Sequence, residues 1–138
     1  MRLLFLAALL LPSLAWAEDW AELGETPEAH VMLDAASVEI TGDEAMARLK
    51  FIYRRVQPAQ TISQGSPFDS TTNLYHIYCS AQRYQVLELN VLYKGKTVGT
   101  FHADPNPDRL DKPKLDSGVM LLIKKVCPGE KSGSEEQP

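Results

Sequence analysis

Two cysteines, Cys79 and Cys127, are the only ones in this chain of 138 residues, and the residues ahead of them set their redox state. Arg2 gives a positive start, Leu3 to Leu11 form an apolar run, and Ala15-Trp16-Ala17 ends in the small-x-small pattern of a signal-peptidase site. That run falls short of the roughly 20 residues needed to span a bilayer. Residues 1–17 therefore read as a cleaved secretory signal, leaving an exported chain that starts at Glu18 and carries no transmembrane anchor. In an oxidising compartment an even pair of cysteines forms a bridge more often than it stays as two thiols. Two isolated cysteines also lack the close ligand spacing of a zinc site. Closing a loop of this size adds roughly 4 kcal/mol in the chain-entropy model, enough to decide whether a small domain folds.

What remains after cleavage suits one domain over residues 18–129, followed by a Glu-, Ser- and Gly-rich tail over 130–138 that reads as disordered. The formal net charge is −4, and the signal contributes Arg2 but no acid, so the exported chain is more negative still. Nucleic-acid affinity rests on clustered positive charge, so a nucleic-acid partner is excluded as a general function.

Glu18 to Pro27 is acidic and reads as irregular, with Trp20 anchoring it to the core. His30 to Leu33 reads as a short strand, Asp34 to Ser37 as a turn, and Val38 to Ile40 as the next extended piece. After the turn signal Gly42-Asp43, Ala45 to Val56 is the first long strand candidate. Ala47, Leu49, Phe51 and Tyr53 alternate with Arg48, Lys50 and Arg54, the pattern of an antiparallel strand with one wet face. Residues 57–70, with Pro58, Gly65 and Pro67, read as a long mobile loop. Thr71 to Cys79, Tyr84 to Tyr93 and Thr97 to Phe101 then form an antiparallel meander, with Lys94-Gly95-Lys96 as one tight turn. Tyr75, Ile77 and Cys79 share a face of it, which should be buried.

Pro105, Pro107 and Pro113 keep residues 103–115 out of regular structure. Asp116 or Ser117 can then cap a short helix through Val126, with Met120, Ile123 and Cys127 on one face and Lys124 and Lys125 in its last turn. A helix so short does not persist alone in water, so it must dock on the meander. A Cys79–Cys127 bridge would staple the two together.

Catalytic signatures are missing: there is no nucleophile elbow, phosphate loop or zinc-protease pattern. His30, His76 and His102 form no metal motif. Asp104, Asp108, Asp111 and Asp116 fall in a polar connection where solvation and helix capping account for them. The strongest positive cluster is Arg48, Lys50, Arg54 and Arg55 with Tyr53 interleaved, a candidate partner-binding patch because arginine and tyrosine are favoured at interfaces. The alternative is a solvated strand face or a charged edge that resists aggregation.

Several stretches together resemble the bacterial surface-adhesin protein E family over most of the exported chain. They are Val31-Met32-Leu33-Asp34 with Ser37, the long strand ending near Tyr53, the strand ending in Cys79, Tyr84-Gln85-Val86-Leu87, the Tyr93-x-Gly95 turn, and Ser117 leading to Cys127. The resemblance implies an α+β fold: a six-stranded antiparallel sheet with a C-terminal helix held against one face by the disulfide. It also implies adhesion to host matrix and serum proteins such as vitronectin, laminin and plasminogen, and haem binding has been associated with the group. Two departures stand out. The family's adhesin is a surface lipoprotein, whereas Ala15-Trp16-Ala17 offers no cysteine for lipidation, which favours a periplasmic or secreted product. Tyr78 precedes Cys79 where the family often has an acidic residue.

The expectation is an exported, non-catalytic binding module that meets a protein partner, either host matrix or an envelope component, and needs no cofactor. The alternative is a periplasmic small-ligand or haem binder using the cleft between helix and sheet, with His76 or His102 as the haem ligand. Exposed sheet edges leave a dimer open.

Overall fold

The computed structural model describes residues 19–128, so the expected signal over 1–17 and tail over 130–138 lie outside the described residues. Six strands follow one another as an antiparallel meander: β1 Trp20–Glu25, β2 Ala29–Thr41, β3 Glu44–Gln57, β4 Phe68–Tyr78, β5 Arg83–Tyr93 and β6 Lys96–His102. Each pairs only with its sequence neighbours, so the sheet needs no crossover connection. One helix, α1 Gly118–Val126, closes the described chain.

The period-two pattern of β3 decides which face is covered. Ala45, Ala47 and Leu49 are buried together with Val31, Leu33, Tyr75 and Ile77, and Val119, Leu122, Ile123 and Val126 of α1 complete the same cluster. Phe51, Tyr75 and Tyr84 run across three strands on this side as edge-to-face pairs, with centroids 6.5 and 5.7 Å apart. Ser117 is the N-cap, its Oγ accepting from the Met120 amide, and Lys124 and Lys125 occupy the last turn. Cys79, just beyond β4, and Cys127, at the end of α1, form the disulfide and tie the helix to the sheet. The α+β architecture, six antiparallel strands and stapled helix are thus as expected.

Four details differ from the expectation. The segment read as irregular contains β1, paired with β2 from Trp20↔Asp34 to Glu25↔His30 across a shift between Glu22 and Gly24. The two short extended pieces around residues 34–37 are one strand, β2, interrupted by a bulge between Asp34 and Glu39. Side chains stand in for the missing ladder there: Ser37 Oγ donates to Asp34 O at 2.7 Å and accepts from the Arg48 amide at 2.8 Å. The loop between β3 and β4 is compact. Ser63 is wholly buried in it, accepting from the Gln60 amide at 2.9 Å and donating to Ser66 O at 2.6 Å. Its Ile62 carbonyl lies directly on β6, where only a glycine fits, since a Cβ on Gly99 would overlap that oxygen. Lastly, the fully buried centre of the helix contact is Leu122, which the expectation did not name; Met120, Ile123 and Cys127 do share a face beside it, where they border a groove.

Candidate functional site: the uncovered sheet face

Because side chains alternate across the sheet, every strand residue opposite the α1 side belongs to a second face, and among the described residues no helix covers that face. Strand register arranges it in rows. One runs Trp20, Asp34, Arg48, Leu74, Glu88, His102; the next runs Glu22, Met32, Lys50, Thr72, Asn90, Thr100. Most of these side chains are half-buried, neither core nor free surface.

Neighbouring rows hold one another in place. Arg48 reaches across β4 to Glu88, with Nη2 3.2 Å from Oε2 and both side chains roughly a third exposed or less (26% and 34%). The Lys50 ammonium lies 5.8 Å from the centroid of the Trp20 ring, within reach of the ring's negative face. Asn90 donates to Thr72 Oγ1 at 3.3 Å. At the far end of β3, Arg54 pairs with Glu25 at 3.1 Å and donates to Thr26 O, holding the β1–β2 turn. The Arg54 hydrogen bond, and then its charge, keep the Glu25 carboxyl below the usual glutamate range.

The five residues of the expected patch therefore do not form one surface. Arg48, Lys50 and Arg54 lie on the uncovered face and Tyr53 on the α1 side, while the exposed Arg55 falls where the β3–β4 register breaks between Ile52 and Gln57. Tyr53 packs edge-to-face on Phe68 with centroids 5.8 Å apart, and burial raises its phenol pKa. It also lines a cavity of about 330 Å³ with Phe51, Lys114 and Ser117 at the start of α1. Arg54 and Arg55 meet again only at the strand end, beside Pro27, Glu28 and Gln57. Sequence reasoning missed Trp20, Met32 and Leu74 as members of the face. Trp20 stands on the uncovered side rather than in the core, and only the pairing of β1 with β2 reveals this.

All three histidines also belong to this face, in separate places. His30 lies 3.6 and 3.4 Å from Glu22 and Glu25, and His76 lies 2.6 Å from Glu44 with its ring stacked on Tyr78. His102 ends β6 and is exposed. Neither His76 nor His102 reaches the space between helix and sheet, which Leu122 and Ile123 fill. Among the described residues no three His, Cys, Asp or Glu side chains are grouped to hold a metal ion, and no helix is long and apolar enough to cross a membrane.

The family model of surface-adhesin protein E matches residues 20–128, from the first residue of β1 to the residue after the bridged Cys127. No curated protein and no solved structure matches the chain.

Proposed function

This chain belongs to the surface-adhesin protein E family, and from that premise we propose that it is an exported, non-catalytic module that binds a protein partner through its uncovered sheet face. One observation carries the reading: a broad, half-buried face holding Trp20, Met32, Arg48, Lys50 and Leu74 lies opposite the helix-covered core. Tryptophan, methionine and arginine are the residue types enriched at interfaces. Arg48 and Lys50 are already positioned by Glu88 and Trp20, so little side-chain freedom would be lost on binding.

Family membership makes the chain an adhesin-like module, exported or held at a surface. Host matrix and serum proteins are the first partners to test, and an envelope protein is the other. The test is binding of the exported chain to immobilised vitronectin, laminin and plasminogen, with Trp20→Ala, Lys50→Glu and Leu74→Arg as variants. Saturable binding that these variants weaken by about tenfold or more supports the reading. Equal binding by all variants overturns the sheet face as the site, and no binding by the wild type overturns the host-partner assignment. Fractionation of cells making the untagged chain tells which compartment holds it, and confinement to the periplasm favours the envelope partner.

A further inference from the structure

On the α1 side of the sheet, away from the face just described, two adjoining cavities of about 420 and 240 Å³ form one groove along the helix flank. Both are bordered by Gln82, Leu115 and Met120. The larger continues over Ile123 to Cys127, and the smaller reaches Pro113. Leu115 stands at the junction and is 86% exposed, the most exposed large hydrophobic residue among those described. Isolated exposed leucines are ordinary, but this one continues an apolar floor.

The rim is cationic. Arg83 and Lys112 border the smaller cavity and Lys124 the larger, and none of the three enters a salt bridge among the described residues. Lys125 follows in the same helix turn. This gathering occurs in a chain of net charge −4, in which Arg48 and Arg54 of the opposite face are paired with carboxylates. The nearby Asp116 borders the separate cavity at the start of α1 together with Lys114.

We propose that this groove docks an extended acidic segment of a partner protein, with a large apolar side chain of that segment seated between Leu115, Met120 and Ile123. Concavity favours a chain over a flat lipid surface, because a bilayer would meet Leu115 and the lysines but leave the floor empty. These cations, which have no carboxylate partner among the described residues, supply the charge complementarity that orients an acidic strand and speeds its encounter. The groove does not depend on the uncovered sheet face, so either surface can fail its test without the other.

The experiment is an amide-resolved NMR titration of the exported chain with acetylated peptides that carry Leu-Phe, Trp-Leu or Ile-Tyr flanked by glutamates. Matching peptides flanked by lysines and phosphatidylglycerol vesicles are the comparisons. Saturable shifts at Gln82, Leu115, Met120 and Ile123 with the acidic peptides only, weakened about tenfold by Leu115→Ser or Lys124→Glu, are the expected result. Both substitutions fall on exposed positions, where folding is little affected. The proposal is overturned by shifts located elsewhere, by an equal response to the lysine peptides, or by no saturable response. It is also overturned if vesicles alone, or self-association in sedimentation, engage these residues.

Discussion

Gly118 begins α1 against the ring of Phe51, and a Cβ there would overlap Cε1 of that ring. Alanine is the better helix former by nearly 1 kcal/mol in a helix interior. At this first helical position the ring and Val31 behind it oppose that gain. Gly118→Ala should therefore destabilise the fold by about 1–3 kcal/mol, as overpacked sites do, in urea denaturation. A stabilised variant would mean that Phe51 moves aside freely. Glu25 gives a second residue-level test, because Arg54 lowers its folded pKa. A lowered carboxyl pKa contributes stability that is present above the unfolded value and lost as pH falls through the folded one. A carbon-detected titration of Glu25 should show a midpoint below that of an ordinary glutamate, and Arg54→Ala should raise it. An unchanged midpoint in that variant would remove the pair as the cause. The sequence already showed what local chemistry decides at this scale: a helix cap at Asp116 or Ser117, which the structure assigns to Ser117, and Lys124 and Lys125 at the helix end. It could not show Gly99 or Gly118 as close approaches, since Ile62 and Phe51 arrive there only through tertiary packing.

Among the elements, α1 depends most on the rest of the fold. Its nine residues are too few to stay helical alone, so docking and the disulfide maintain it. Replacing Cys79 and Cys127 together by serine should cost about 2–5 kcal/mol in denaturation and speed amide exchange along α1 before that of β3 and β4. If both exchanged together, the bridge would be stabilising the whole sheet and not the helix in particular. Elements that alternate cleanly were legible: β3 shows Ala47, Leu49 and Phe51 against Arg48 and Lys50, and the β4 to β6 meander shows the turn at Lys94-Gly95. β1 was not legible. It is a short edge strand, acidic at Glu22 and Glu25 and interrupted near Gly24, so the periodicity that marks a strand never develops. β2 looked broken for a different reason: Asp34 and Ser37 are turn formers by composition, yet here they hydrogen-bond a bulge inside a continuing strand.

For the molecule as a whole, the proposed function puts partner binding on the face opposite the helix-covered core, which would make stability and binding by that face separable. The α1 side holds Leu49, Ile77 and Leu122 with no exposure, so truncation there should act on folding. Leu122→Ala removes the centre of the helix contact and should cost about 2–5 kcal/mol, lowering the melting temperature by roughly 4–8 °C per kcal/mol. Its effect on binding should match only the lost folded fraction. The uncovered face should respond in the opposite way, since Lys50 is half-buried beside Trp20 and lies outside the core cluster. Lys50→Glu should move stability by no more than about 0.5 kcal/mol while weakening the partner by tenfold or more. The positive residues of this face were visible in the sequence, but Trp20 and Leu74 were not, because they join Arg48 and Lys50 only through pairing across several strands. Measuring melting and partner affinity on both variants decides the matter. If Lys50→Glu unfolds the chain, or Leu122→Ala abolishes binding while the protein remains folded, the faces are not independent and the interface must include the helix.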